Sequence, residues 1–489
     1  MIKAFLKDSL IYGITNVLTK GISLILVPFY THILNPGDYG VIEILSIALT
    51  IITMVMPMEI TQAISRFFPD PGYQKDKKSI ASTSLFYSLT VFLFCFSIFE
   101  LFPKRISYLL ISRDETFLVQ IMGAVIIANG LFYFTQNQLR WMLKPIRYMI
   151  CSLVYSLTTI SLSILFVLVL KYGVKGVFAA QAIGGFLGFI VGFSLGKEVY
   201  TLSFSYKILK VLLKYSTPIV PGTLMVFMFT YIDRLLINRF FGLVELGLYG
   251  IAYRVASIVG IVMNGITGSI TPIIITNYKD HDTPAKLEKI FRYVICTSLI
   301  ITTTISMFSK EILSIIAPPN YSRAFMAIPF LLYAGFLASF YVFTPGLFIA
   351  KKPIYITYIT IAGAVSNTIL SLILIPYFNI AGAGLATALA SFIVFGIYMY
   401  LSQKFYYVPH QFKILTISFL ISVIIIIAAL FLGFFVSFKV LFFIKISFLV
   451  FSIYLFTHIK LVDIRDFTFL FNYIKTRFSP IGIKSKIMH

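Results

Sequence analysis

A chain of 489 residues that is 59% hydrophobic and only 12% charged, with a mean hydropathy of +0.95, falls outside the composition of water-soluble domains. Its 40 Lys and Arg against 18 Asp and Glu give a net charge of +22. That surplus implies no nucleic-acid partner, because it gathers mostly on one side of the apolar runs.

About fourteen apolar stretches, each near the ~20 residues that cross a bilayer, fall roughly at 9–31, 39–64, 79–102, 115–138, 148–170, 174–196, 213–240, 245–275, 290–309, 325–350, 354–376, 381–402, 412–433 and 436–457. The first begins after basic residues, as a signal peptide does, but runs on past Lys20 without a small-residue cleavage site, so it is expected to be a retained span. With the N-terminus in the cytoplasm, about 27 of the Lys and Arg fall inside and about 9 outside, which fixes the orientation and places both termini inside. Clusters such as Lys75, Lys77, Lys78 and Lys207, Lys210, Lys214 read as topology determinants touching anionic headgroups. Loops are short and hold no soluble domain. Cys95, Cys151 and Cys296 lie within apolar stretches, and no metal or cofactor motif is present.

Six spans precede the basic linker near 197–214, and six more precede the basic turn at 404–413. A faint repeat links the halves: Lys144-Pro145 falls on Lys352-Pro353, Gly176 on Gly384 and Ala180 on Ala388 at a spacing of about 208, and Tyr39-Gly40 on Tyr249-Gly250 at about 210. The expected fold is an all-α polytopic membrane protein of about 14 transmembrane helices. Two parallel pseudo-symmetric six-helix lobes (1–200 and 201–403) are followed by helices 13 and 14 (404–457) and a basic cytoplasmic tail (458–489). The tail suits an interfacial helix and a disordered coil equally.

Ionisable groups inside a span are costly unless they face water or a partner, so each is a functional candidate. Lys20 shares a face of the first span with Gly13, Asn16 and Ser23. Glu43 heads a stripe with Ser46, Thr50, Thr53 and Pro57, and Glu59 follows near the membrane surface. The fourth span carries Asn129, Tyr133, Gln136, Asn137 and Arg140; the seventh carries Asp233 and Arg234; the eighth aligns Gly250, Arg254, Ser257, Asn264, Gly268 and Thr271. Such stripes suit a water-filled cavity, and they suit helix packing as well, with Asp233 neutralising Arg234 or Arg254. The glycines at 184, 188, 192 and 196 read as a close-packing surface. Lys445, deep in span 14, is a candidate for the lining of a groove on the lipid side.

The stretch YIDRLLINRFFGLVELGLYGIAYRV (Tyr231 to Val255) and the hairpin LVPFYTHILNPGDYGVIEI (Leu26 to Ile44) resemble the bacterial polysaccharide-export flippases, O-antigen type, of the multidrug/oligosaccharidyl-lipid/polysaccharide exporter superfamily. The resemblance implies a non-enzymatic transporter of the cytoplasmic (inner) membrane. It would carry an undecaprenyl-pyrophosphate-linked oligosaccharide from the inner to the outer leaflet by alternating access, coupled to an H+ or Na+ gradient. Its expected partners are membrane lipids and glycan polymerase or transferase machinery. The residues expected to hold the substrate are Lys20, Asn16, Arg140, Asn137, Arg234, Arg254, Ser257 and Asn264, with Asp233, Glu43 and Glu59 in ion coupling. A multidrug/cation antiporter and a lipid II flippase are the rival readings within the superfamily. A membrane-embedded sugar polymerase fits less well, for want of a large outer loop.

Overall fold

The computed structural model describes residues 2–433 and 435–462, and within helices it leaves the side chains at 2–10, 16, 20, 22, 23, 264, 268, 269, 272, 273, 275 and 438 outside the description. The basic tail and the side chains of Asn16, Lys20 and Asn264 therefore lie outside the described residues. Among those described there is no strand.

The N-terminal part runs through α1 (Ile2–Ile33), α2 (Pro36–Val55), the short α3 (Ile60–Phe67), α4 (Lys77–Leu101), α5 (Pro103–Ile111), α6 (Thr116–Trp141), α7 (Pro145–Ser163) and α8 (Gly173–Leu195). Asn35 caps α2, its side chain accepting the Asp38 amide at 2.9 Å, and Pro36 occupies the first turn, where a missing N–H costs nothing. Beyond Pro57 the chain takes left-handed backbone at Met58 and Glu59 (φ 49° and 52°) before α3 restarts. The amphipathic α9 (Tyr206–Ser216) leads into α10 (Val220–Asn277). Then follow α11 (Thr283–Met307), α12 (Ser309–Ile316), α13 (Ile328–Leu337), α14 (Gly346–Ile349), α15 (Pro353–Phe405), α16 (Phe412–Leu432) and α17 (Phe438–His458).

Eleven of the described helices are long and apolar enough to cross a membrane, or twelve when the pair Pro319–Met326 and Ile328–Phe343, bent by 49°, forms one span. Two of them, Tyr206–Thr267 at 62 residues and Pro353–Phe405 at 53, are double length. Each folds back on itself. Gly242 (φ 79°, ψ −170°) breaks α10, and the Tyr249 hydroxyl hydrogen-bonds the Asp233 carboxylate, 16 positions away, which a straight helix would hold about 24 Å off. Asn379 (φ 53°, ψ −131°) breaks α15 in the same way. Counting each fold-back as two crossings and the bent pair as one gives the fourteen expected spans. Outward faces such as Ile424, Ile427 and Phe431 of α16 are exposed and apolar, as lipid contact requires.

The repeat is visible in the backbone. Leu143 and Lys351 are both left-handed (φ 55° and 54°), Lys144 and Lys352 share φ −112°, ψ 71° and φ −110°, ψ 62°, and the turns at Lys171 and Asn379 share φ 55° and 53°. All three pairs are separated by the 208 positions of the sequence echo.

The chain divides into two compact units, one of Met1–Ser269, Leu313–Ser339 and Pro353–Tyr398, the other of Ile270–Ile312, Phe340–Lys352 and Met399–His489. In the first, three of the four glycines do what their spacing implies, while Gly196 caps the end of α8 with only ordinary contacts to other helices. A Cβ on Gly188 would strike Phe132 of α6, and one on Gly184 or Gly192 would strike Thr159 of α7 or Thr135 of α6. α2 meets the second arm of α10 backbone to backbone: a Cβ on Gly40 would collide with the Leu243 carbonyl, and one on Gly247 with the Pro36 carbonyl. In the second unit, Phe291 packs on Phe340, Phe343 and His410 (ring centroids 5.3, 5.0 and 4.7 Å), and Thr303 hydrogen-bonds Ser422 across α11 and α16 at 2.7 Å. Lys445 does not line a lipid groove. Its ammonium lies 2.5 Å from Glu311 and over the Phe308 ring, because an unpaired charge at that depth would cost several kcal/mol.

Two outcomes follow. Gly247→Ala overpacks a backbone contact and should cost about 1–3 kcal/mol, read as a lower apparent melting temperature in detergent, whereas Gly265→Ala, with nothing within 4 Å, should be neutral or mildly stabilising. Burial in its aromatic surround lowers the His410 pKa to about 4. The unfolded chain, titrating near 6.5, then binds the extra proton first, so this stabilisation is complete above about pH 6.5 and lost as pH falls toward 4, on the order of 3 kcal/mol in all. His410→Leu should flatten the melting temperature over that window.

Candidate functional site

One carboxylate organises the first unit. Glu43, on the inward face of α2, receives Arg254 Nη2 at 3.1 Å and Arg234 Nη1 at 3.5 Å, one from each arm of the α10 hairpin. Gly250 makes room for it, since a Cβ there would fall 2.5 Å from Glu43 Cγ. The Arg234 guanidinium lies over the rings of Tyr253 (4.0 Å) and Tyr231 (5.1 Å), and Arg254 lies over Tyr39 at 5.4 Å. Arg234 Nε and Nη2 and Arg254 Nε find no acceptor among the described residues. A guanidinium carries five donors, so this cluster keeps hydrogen-bonding capacity in reserve.

These groups line a cavity of about 540 Å³, with Ser46 and Thr50 from α2, Ser257 from α10 and Thr387 and Ser391 from α15. Thr50 and Tyr231 also line a second cavity of about 680 Å³, whose other walls include Thr53, Glu59, Gln62, Tyr133, Asn137, Arg140 and Trp141. The first offers two guanidiniums and one carboxylate, the second one of each, so the described lining carries three cations against two anions. Amides, hydroxyls and aromatic faces make up much of the rest of the second cavity, while aliphatic side chains such as Ile47, Ile261 and Leu331 share the wall of the first with hydroxyls.

The α2 stripe faces the two cavities along its length, with Glu43, Ser46 and Thr50 on the first and Thr50, Thr53 and Pro57 on the second. Glu59 is buried on the second cavity and accepts the Thr223 hydroxyl at 2.8 Å, so it is no ordinary surface charge. Asp233 does not neutralise Arg234 or Arg254 through their guanidiniums. Its buried carboxylate takes the Tyr249 hydroxyl, the Thr387 hydroxyl at 3.1 Å and the Arg234 backbone N–H at 2.7 Å, which leaves both guanidiniums to Glu43. Asn137 and Arg140 line the second cavity, with the Asn137 amide donating back to the Tyr133 carbonyl at 2.8 Å. Gln136 instead donates to Ser152 of α7 at 2.7 Å, and Asn129 abuts Gly185 of α8. Ser257 lines the first cavity, its hydroxyl donating to the Arg254 carbonyl at 2.7 Å.

Sequence reading missed Tyr253, Thr387 and Trp141, and it missed Glu311 as the partner of Lys445. Only the last had a signal, since a lysine deep in a span requires an acid and the chain has 18 to search.

Many apolar spans around a cavity that sets charged and hydroxyl side chains among aliphatic ones, inside one compact unit, are the build of a membrane transporter. The family model described as polysaccharide biosynthesis protein matches residues 5–278, more than half of the chain, and a MatE model matches residues 218–373. The chain belongs to the polysaccharide biosynthesis protein family. It is 23% identical over 408 residues, 80% of this chain and 95% of the other, to an uncharacterized membrane protein of Methanocaldococcus jannaschii. Among solved structures it is similar to the lipid II flippase MurJ in an inward closed conformation (TM-score 0.69, 15% identity, 92% of this chain and 99% of that one). It is similar also to an inward-facing multidrug resistance MATE family transporter of the MOP superfamily (TM-score 0.66, 14% identity, 79% and 94%).

Removing the shared acid should expose the logic of the cluster. Glu43→Ala leaves two guanidiniums facing each other and should cost about 3–5 kcal/mol, whereas adding Arg234→Met should recover part of that loss, a coupling that a double-mutant cycle of melting temperatures measures.

Proposed function

We propose that the protein is a flippase for an undecaprenyl-pyrophosphate-linked oligosaccharide, moving it from the inner to the outer leaflet of the bacterial cytoplasmic membrane by alternating access. Both termini lie in the cytoplasm, by the bias of Lys and Arg toward that side. The observation that carries the reading is the pair of arginines sharing one carboxylate, with unused N–H donors, on the wall of a cavity.

A diphosphate is a bidentate acceptor of the kind guanidinium forks match. On entry it displaces part of the Glu43 interaction and takes the donors that Glu43 leaves unused, so that its dehydration is offset by charge-assisted hydrogen bonds. Lys20, assigned on sequence alone, joins Arg234 and Arg254 in holding the phosphates. The adjoining cavity, with Tyr133, Trp141, Asn137 and Gln62, receives the sugars, and Arg140 stands on its wall. Glu43, Asp233 and Glu59 are the groups through which an H+ or Na+ gradient drives the cycle. Three arginines against two acids on the walls disfavour a cationic drug as cargo.

Arg234→Ala and Arg254→Ala should each lower glycan export by about tenfold to a hundredfold, the worth of a charge-assisted hydrogen bond, without lowering protein abundance. Arg254→Lys should restore only part of it, because an ammonium lacks the planar fork. Export at the normal rate from both alanine variants would discard the assignment, and export indifferent to collapse of the proton and sodium gradients would remove the three acids from coupling.

A further inference from the structure

The short helix α9 between α8 and α10 has three lysines and no acid in eleven residues. One face is accounted for: Leu209 and Leu212 are buried against Ile60 and Ala63 of α3 and Ile80 of α4. The remainder is not the polar surface that a helix facing water presents. Lys207, Lys210 and Lys214 are exposed, but so are Tyr206, Val211 and Tyr215, and Tyr206 is 73% exposed. Lysines interleaved with aromatic and aliphatic side chains are the composition of a helix lying in the plane of a membrane interface.

A groove of about 490 Å³ runs along this exposed side, bounded by Tyr206, Leu209, Leu213 and Pro218, with Lys210 and Lys214 on its rim. The two ammonium groups stand one helical turn apart on the same face. Among the described residues, neither lies within ion-pair distance of a carboxylate. Lys75, Lys77 and Lys78, just before and at the start of α4 and offset in part by Asp76, add net positive charge close to the packed α3–α4–α9 corner.

We propose that this groove is a binding site for an anionic glycerophospholipid. Lys210 and Lys214 straddle the phosphodiester, and the apolar walls take the glycerol backbone and the first carbons of an acyl chain. Phosphatidylcholine has the same phosphodiester but offsets it with its own ammonium group, so it gains less from two lysines, and the site favours lipids with net negative charge, which the cytoplasmic leaflet supplies. This inference stands apart from the identity of the transported substrate, because no lining residue of the groove belongs to either cavity.

The test uses the full-length protein in nanodiscs of phosphatidylcholine, with and without phosphatidylglycerol, and reads both the apparent melting temperature and the lipid retained on extraction by native mass spectrometry. Phosphatidylglycerol should raise the melting temperature and co-purify. Lys210→Gln with Lys214→Gln should weaken its binding on the order of thirtyfold, while Lys210→Arg with Lys214→Arg should keep it, which guards against a variant that merely misfolds. Three results overturn the proposal: phosphatidylcholine binding as well as phosphatidylglycerol, inorganic phosphate alone giving the same stabilisation, or Lys75→Gln with Lys77→Gln causing an equal loss, which would report diffuse surface charge.

Discussion

One carboxylate shared by two arginines is the constraint around which the first unit is arranged. Charges removed from water are tolerated only when matched, and Glu43 matches two guanidiniums incompletely, at 3.1 and 3.5 Å. The surrounding sequence serves that arrangement. Gly250 yields the space a Cβ would fill, Tyr231, Tyr253 and Tyr39 spread the positive charge over ring faces, and Asp233 is drawn off by Tyr249 and Thr387 so that it does not close the circuit. A second acid on the guanidiniums would cancel the cluster's net charge and occupy more of its donors. With one, a unit of positive charge and three unpartnered guanidinium nitrogens remain on a cavity wall.

Much of this architecture is legible in the sequence, because the membrane imposes length and period. The fourteen spans follow from apolar runs, and the 208-residue echo extends to matching dihedral angles at Leu143 and Lys351, Lys144 and Lys352, and Lys171 and Asn379. The α2 stripe likewise predicts which side chains reach the cavities. Periodicity specifies a face, however, and not the neighbour that covers it. On α6, Asn129, Tyr133, Gln136, Asn137 and Arg140 span about 100° of the helix surface at 100° per residue, wide enough to meet two neighbours. The structure gives Tyr133, Asn137 and Arg140 to the cavity, and Asn129 and Gln136 to the seams with α8 and α7.

The pairings themselves were out of reach for a different reason. Glu43 meets residues 191 and 211 positions away, and Lys445 meets Glu311 across 134. No local pattern encodes such contacts. A charge rule narrows them, since every buried cation in a span needs an acid, but several acids compete, and which one wins depends on hairpin geometry. Gly242 decides it for Arg234 and Arg254: by folding α10 back it brings two residues 20 positions apart to the same carboxylate, where a continuous helix would hold them about 30 Å from each other.

α2 is the element on which these features converge. Near its first turns Gly40 packs against the Leu243 backbone, its middle carries Glu43 between the arginines, and its polar face then passes Thr50, on the wall of both cavities. Just beyond its last turn, Met58 and Glu59 hold left-handed backbone, which costs non-glycine residues roughly 1–2 kcal/mol each. That strain is retained because the Glu59 carboxylate is buried and accepts Thr223. A rigid helix cannot shift at one of these points without shifting at the others. Displacing α2 from the α10 hairpin breaks the Gly40 contact, withdraws the acid from the arginines and loads the strained turn together, so the charge state of the site and the packing of the helix are one mechanical variable.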